Sequence, residues 1–323
     1  MSKSIEKALE EVNKKVGENT AYEYKNFKGE KKQRLRSGVL GIDVISGGGY
    51  VKGLMSYISG WESSGKSTLA LYAIAECQKE GKIAVYIDHE YSFDKSYAES
   101  LGVNVNELVL SQPDTIEDGY TVLVDLIEAD KVGLIVFDSI AGASTKKEIE
   151  GDIGDKALGV KAQLNSSTFP KICGRAKKHN VPVIMINQLR EKIGVMFGSP
   201  VTEPGGNAVK FFPSLKIEVR QSTKDKEGEE VVGNLIKAKC TKNKTYRPFL
   251  ETEYNIVYGE GIDRISEIIY HGVNFGIIEQ KGSWFSYDGT QLGQGKIKTR
   301  EVLLDNPELL EQIENLIYKM IEE

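Results

Sequence analysis

Apolar positions repeat with two different periods along this chain. Residues 3 to 16 place Ile5, Leu9, Val12 and Val16 at helical spacing with charged residues between them, which predicts one amphipathic helix whose apolar stripe needs a partner surface. Residues 25 to 36 are polar and basic (Lys25, Lys28, Lys31, Lys32, Arg34, Arg36) and read as a linker. From Gly38 short apolar runs alternate with helical stretches, the signature of a parallel sheet covered by helices. The runs are Leu54 to Ile58, Ile83 to Ile87, Gly133 to Phe137 and Val181 to Ile186, with helices over Ser67 to Glu80 and Ser166 to His179. Leu215 to Arg220 and Val231 to Cys240 read as strands separated by a charged hairpin, Gln221 to Glu230. After Gly261 come a helix, a Gly-rich segment from Trp284 to Gly295 and a last helix near Pro307 to Glu322. The expected fold is α/β: a core with a mostly parallel central sheet flanked by helices over 37–261, preceded by a helix and linker (1–36) and followed by a small α+β domain (262–323).

Composition narrows the function without naming it. The chain has 323 residues, 40% hydrophobic, and a net charge of −5, so any nucleic-acid binding must come from local clusters or backbone groups. No run of residues is long and apolar enough for a membrane span and the charged N-terminus lacks a signal-peptide core, so no membrane partner and a cytoplasmic location are expected. Cys77, Cys173 and Cys240 form no CxxC pair and read as packed thiols.

The segment Gly60-Trp61-Glu62-Ser63-Ser64-Gly65-Lys66-Ser67 fits GxxxxGK[ST], follows an apolar strand and opens a helix. Its glycines let backbone N–H groups turn toward phosphate oxygens, and the helix N-terminus adds partial positive charge. Lys66 neutralises β and γ phosphates, and Ser67 supplies a hydroxyl to Mg²⁺. ATP and Mg²⁺ are therefore the expected cofactors. The other runs also end in polar groups, which an open parallel sheet brings to one crevice: Asp88 and Glu90, Asp138 and Ser139, Asn187 and Gln188. Asp138 is the Walker B carboxylate expected to hold the magnesium shell through water. Glu90 is the better candidate for deprotonating the attacking water, with Asp88 a competitor. Gln188 can donate to a γ-phosphate oxygen.

Several segments together resemble the bacterial RecA recombinase family: Glu62 to Lys66, Leu110-Ser111-Gln112-Pro113-Asp114, Glu148-Ile149-Glu150-Gly151-Asp152, Lys192-Ile193-Gly194-Val195-Met196-Phe197-Gly198, Pro204 to Ala208 and Val257 to Gly261. The likeness is collinear from about Gly38 to Gly295. It implies an ATP-dependent strand-exchange protein of DNA repair that forms helical filaments on single-stranded DNA and pairs it with homologous duplex. Glu90 would then be the catalytic carboxylate and Tyr97 the adenine-stacking ring, with Thr68, Asp94 and Ser139 at the same site. Two Gly-rich segments, about Glu150 to Gln163 and Leu189 to Asn207, would hold DNA, carrying Gly151, Leu158, Gly159, Lys161, Arg190, Lys192, Met196, Phe197, Gly205, Gly206 and Asn207. Lys242 and Lys244 would reach the γ-phosphate of a neighbouring subunit. Ile5, Leu9 and Val12 of the first helix, and Phe211, would lie at the subunit interface, a head-to-tail contact that generates an open helix. A repressor of the damage response, whose self-cleavage relatives can stimulate, is a further implied partner.

The resemblance has departures. Trp61 stands where the family usually has proline, His89 and Tyr91 replace a usual Ala and His around Glu90, and Gln163 replaces an arginine. The long acidic tail of many relatives does not follow Glu322-Glu323, which would leave DNA binding less restrained and suit a phage-encoded or distant relative. Two other readings share the core: a ring-forming helicase motor, and a filament in which nucleotide only stabilises the coat.

Overall fold

The computed structural model describes residues 3–17, 20–23, 32–152, 159–191, 201–227 and 230–322. Met1–Gln33 and Arg34–Glu323 form two compact units. In the first, α1 (Lys3–Val16) occupies the span its apolar spacing predicts, with Ile5, Val12 and Val16 exposed. The Asn13 side chain then turns the chain back, its amide donating to Ala21 O and its carbonyl accepting from Ala21 N, both at 2.8 Å.

The second unit opens with β1 (Arg34–Leu35), α2 (Leu40–Ser46) and β2 (Tyr50–Val51). Arg34 and Arg36, read with the linker, belong to this unit. Arg34 donates to the carbonyls of Ser46, Gly49 and Thr245, and the Arg36 guanidinium lies 3.8 Å over the Tyr318 ring.

The core continues through β3 (Met55–Gly60), α3 (Lys66–Lys79), β4 (Ile83–Asp88), α4 (Lys95–Ser100), β5 (Leu108–Ser111), α5 (Ile116–Leu126) and β6 (Val132–Asp138). Next are α6 (Lys146–Glu150), α7 (Val160–His179), β7 (Val183–Gln188), β8 (Arg190–Glu191), β9 (Val201–Thr202) and α8 (Ala208–Phe211). A long hairpin, β10 (Leu215–Glu227) and β11 (Glu230–Asn243), is followed by β12 (Glu251–Val257) and β13 (Gly261–Ile262). The charged stretch read as the hairpin loop is therefore mostly strand, because cross-strand pairing from Gln221 to Glu227 offsets its low apolar content.

These strands make one nine-stranded sheet in the order β13-β12-β11-β10-β3-β7-β6-β4-β5. From β10 to β5 all neighbours are parallel; β11, β12 and β13 add antiparallel edges. The central strands read as unbroken apolar runs because both sheet faces are buried. Ile58, Ala84, Tyr86, Leu134, Val136, Ile184 and Ile186 pack with Leu69, Ala73 and Ile74 of α3. Their chain neighbours Tyr57, Val85, Ile87, Ile135, Phe137, Val183 and Met185 pack on the other face with Tyr120 and Leu123 of α5 and Phe169 and Ile172 of α7.

The C-terminal segment holds α9 (Arg264–Asn274), the three-stranded β14 (Glu279–Lys281), β15 (Trp284–Tyr287) and β16 (Thr290–Gln294), then α10 (Gly295–Asp305) and α11 (Pro307–Glu322). Ile268, Phe285, Leu292, Leu303, Ile313 and Ile317 form its own apolar cluster, which also takes in Leu40 of α2. The Gly-rich segment from Trp284 to Gly295 thus supplies two of the three strands of a β-meander. The three cysteines are free, Cys77 and Cys240 buried and Cys173 half-buried.

Candidate functional site

The parallel strands point their carboxyl ends at one crevice. β3 delivers the loop from Gly60 to Gly65, whose Gly65 has φ +83°, a left-handed conformation suited to glycine, and α3 starts at Lys66 with its N–H groups facing the crevice. A Cβ on Gly60 would fall 2.4 Å from both Ser64 Oγ and Val219 O, so the loop's tight curl needs the glycine. The Trp61 carbonyl accepts from Lys66 Nζ and from Ser64 Oγ, each at 2.7 Å. Desolvation lowers the Lys66 pKa, opposed by the nearby carboxylates of Asp138, Glu90 and Glu62.

Asp138, at the end of β6, is buried, and its Oδ2 accepts from Ser67 Oγ and Tyr86 OH, both at 2.7 Å. Burial raises its pKa to about 6, with the two hydroxyls partly offsetting the rise. The Asp138–Ser139 peptide is cis. Ser139 Oγ donates to Glu90 Oε1, and Gln188 Nε2 donates to the same oxygen at 2.6 Å. Residues from the ends of β4, β6 and β7 therefore meet on one carboxylate.

Asp88 is not the competitor that the sequence leaves open. It is fully buried, and its two oxygens accept from Glu90 N (3.0 Å), Phe93 N (3.2 Å) and Gln112 Nε2 (3.0 Å), so it braces the loop that presents Glu90.

A cavity of about 250 Å³ is lined by Glu62 through Thr68, Glu90, Tyr97, Asp138 and Gln188. Tyr97 OH lies 3.1 Å from Thr68 Oγ1. Asp94 does not line the cavity; its carboxylate caps α4 by accepting from Tyr97 N at 2.9 Å and so sets the tyrosine. The sequence reading missed the opposite wall, Asn234, Ile236, Ile256 and Tyr258 from β11, β12 and the turn beyond. Asn234 Nδ2 donates to Tyr258 OH at 2.7 Å. A buried asparagine inside an apolar strand was the available signal, but only the sheet order brings it opposite the P-loop.

The residues fit a magnesium nucleotide. A lysine and a helix N-terminus face the same space as a hydroxyl–carboxylate pair, Ser67 and Asp138. Among the described residues no three His, Cys, Asp or Glu gather as a metal cluster, so such an ion would draw most of its ligands from phosphate and water, as Mg²⁺ does.

The two Gly-rich segments are placed in part. Lys161 and Gln163 lie on the first turn of α7, which begins earlier than the sequence suggests, after Gly159 at φ +78°. Gly151 is exposed. Leu158, Lys192, Met196 and Phe197 lie outside the described residues. Exposed Arg190 belongs to β8, whose two-residue ladder with β9 closes the second segment near its root, and Leu189 N donates to Gly60 O at 3.0 Å. Gly205 and Gly206 have φ +102° and +78°, and Asn207 starts α8.

Lys242 and Lys244 are not brought to the P-loop of their own chain. β11 runs antiparallel to β10, so Lys244 N donates to Ser214 O and Ser214 N to Met55 O, at the end of the sheet where β3 begins. Lys242 Nζ donates to the carbonyls of Lys210 (2.9 Å) and Phe211 (2.8 Å), beside a Phe211 side chain that is 68% exposed.

Residues 3–263 match the RecA N-terminal domain family and residues 266–322 the RecA C-terminal domain family. The chain belongs to the RecA family. It is 44% identical to Protein RecA of Bacteroides thetaiotaomicron over 320 residues, covering 99% of this chain and 97% of that one. To Protein RecA of Porphyromonas gingivalis it is 49% identical over 288 residues, 89% of this chain and 85% of that one. Protein RecA of Aquifex pyrophilus is 43% identical over 316 residues, 98% of this chain and 91% of that one. Among solved structures the RadB recombinase shares the fold, with a TM-score of 0.54 and 24% identity over 71% of this chain and 98% of that one. Like other RecA proteins this one is an ATP-dependent protein of DNA recombination and repair. No helix among the described residues is long and apolar enough to cross a membrane.

Proposed function

We propose that this RecA protein assembles head to tail on single-stranded DNA, hydrolyses ATP at each junction between copies in response to that DNA, and pairs the bound strand with homologous duplex. One observation carries the reading. Gln188 and Ser139 both hold Glu90 Oε1 beside Lys66, Ser67 and Asp138, and the residue after Gln188 opens the segment assigned to DNA.

When bound, ATP with Mg²⁺ supplies the phosphoryl group to be transferred and the cation that neutralises it. Lys66 exchanges its contact with the Trp61 carbonyl for phosphate oxygens, and the α3 N-terminus adds its amides. Ser67 and Asp138 would hold a magnesium ion, and a cation there would draw the buried carboxyl of Asp138 down from about 6 and keep it ionised. Glu90 accepts the proton of the attacking water while Ser139 fixes its orientation, and Gln188, which holds the same oxygen in the free chain, turns to the γ-phosphate. Tyr97 and Tyr258, which both line the cavity, offer rings to the base. Lys242 and Lys244 of the adjacent copy complete the charge stabilisation, which fits their distance from their own P-loop. The exposed apolar residues Ile5 and Val12 of α1, and Phe211, supply contact surface between copies.

The decisive experiment combines hydrolysis assays with electron microscopy of the protein with Mg²⁺, a non-hydrolysable ATP analogue and single-stranded DNA. Open helical filaments, together with ATP turnover that rises on adding DNA, are expected. Closed rings, or a dispersed protein whose turnover ignores polynucleotide, would overturn the proposal.

A further inference from the structure

The root of the second Gly-rich segment is gripped from two sides. Asn187 Nδ2 donates to Pro204 O at 2.7 Å, next to Gln188. On the other side Asn165, fully buried on α7, donates from Nδ2 to Gly205 O at 2.9 Å and accepts at Oδ1 from Tyr120 OH at 2.5 Å. A Cβ on Gly205 would lie 2.6 Å from Asn165 Nδ2, so the close approach requires the glycine.

The second grip leads back to the nucleotide site. The Tyr120 ring stacks on Phe137 with centroids 4.9 Å apart, and the buried imidazole of His89 packs on the same Phe137 ring at 4.8 Å. His89 Nε2 also lies 2.3 Å from where a Cβ on Gly119 would stand, so the ring is wedged against α5 one residue before Tyr120. Its backbone N donates to Asp138 O at 2.7 Å, and the next residue is Glu90. Buried groups packed this closely cannot move singly.

We infer that Tyr120 and Asn165 are positioning residues that tie the DNA-segment root at Gly205 to Glu90 through Phe137 and His89, a second coupling route beside Gln188. The inference rests on the DNA-dependent hydrolysis proposed above. In the free chain the contacts hold Gly205 and the Glu90 loop in one arrangement. A strand that shifts Gly205 on binding would bias the orientation of Glu90 from the side opposite Gln188.

Tyr120→Phe in the full chain removes only the hydroxyl. ATP turnover is measured without DNA and across a titration of oligothymidylate, with the ATP KM and the oligothymidylate Kd followed in parallel. Stimulation by DNA is expected to fall about 3-fold or more while the DNA-free rate and the ATP KM stay at parent values, the scale of effect seen when coupling residues are removed. Asn165→Ala is expected to lose a similar factor, and the double variant no more than either single, since both break one route. Parent-like stimulation in both single variants, or losses that multiply in the double, would overturn the route. A parent protein that DNA does not stimulate would instead refute the proposed function.

Discussion

Gln188 Nε2 stands 2.6 Å from Glu90 Oε1, although one residue ends β7, the other lies beyond β4, and β6 runs between them. Ser139, at the end of that intervening strand, donates to the same oxygen. The proposed general base is therefore held by an amide that could exchange this partner for a γ-phosphate oxygen, which frees or fixes Glu90 with nucleotide state.

Glu90→Gln removes the proton acceptor and keeps the shape. Turnover with Mg²⁺, ATP and single-stranded DNA is expected to drop by about 10² to 10⁴, the usual worth of a general base, with nucleotide affinity retained. Hydrolysis at the parent rate would show that Glu90 is not the base.

Lys242 and Lys244 lie at the far end of the sheet from their own P-loop. Glu90→Gln and Lys242→Ala proteins, each poorly active alone, are therefore expected to regain turnover on mixing, because a Lys242→Ala pocket can receive lysines from a Glu90→Gln neighbour. If mixing adds nothing beyond the separate rates, the two groups do not act across a subunit boundary.

Gly206 has φ +78°, and a Cβ there would meet Ala162 Cβ at 2.5 Å. Gly206→Ala strains the backbone by about 1 to 3 kcal/mol and pushes the root of the second segment away from α7. Fluorescence anisotropy with labelled oligothymidylate is expected to show weaker binding, while nucleotide binding without DNA is unchanged. Equal DNA affinity would separate this root from the DNA site.

Glu267 of α9 is buried and accepts from Gly41 N of α2 at 2.8 Å. Burial, with a smaller contribution from the nearby carboxylate of Asp43, raises its pKa from 4.5 to about 8, while burial lowers neighbouring His271 to about 4. The folded chain thus binds a proton at Glu267 more tightly than the unfolded one. The stability this gives is complete below 4.5 and is lost as pH rises through about 8. Glu267→Gln keeps an oxygen acceptor without the charge, so its melting temperature is expected to gain on the parent's between about pH 4.5 and pH 8. Asp43, Glu314, Tyr254 and Tyr318 face the same junction and are the same residues in both proteins. Parallel melting curves across that range would mean that Glu267 is not protonated in the fold.

Local signals located some elements well. The helix at residues 3–16 and the four parallel strands lie where the apolar spacing puts them, because a strand buried on both faces and a one-sided helix each leave their own period in the chain. β5, an edge strand with Val109 and Leu110 exposed, leaves no such mark, and the outer half of the β10–β11 hairpin looks like loop in the sequence because its side chains are mostly charged. In the site, Lys66, Ser67, Glu90, Asp138 and Gln188 were legible as strand-end polar groups. Asn234 and Tyr258 were not, since nothing local tells which strand lies across the crevice.

By itself the sequence determined the groups on offer: a phosphate-loop motif, carboxylates and an amide, each at or just beyond the end of an apolar run. Tertiary structure alone decided which carboxylate faces the crevice and which braces it, Glu90 and Asp88 being two residues apart. It also decided that Lys242 and Lys244 sit at the opposite end of the sheet. Residue type and strand period follow from local steric and solvation preferences, whereas strand order and direction follow from packing among segments far apart in the chain.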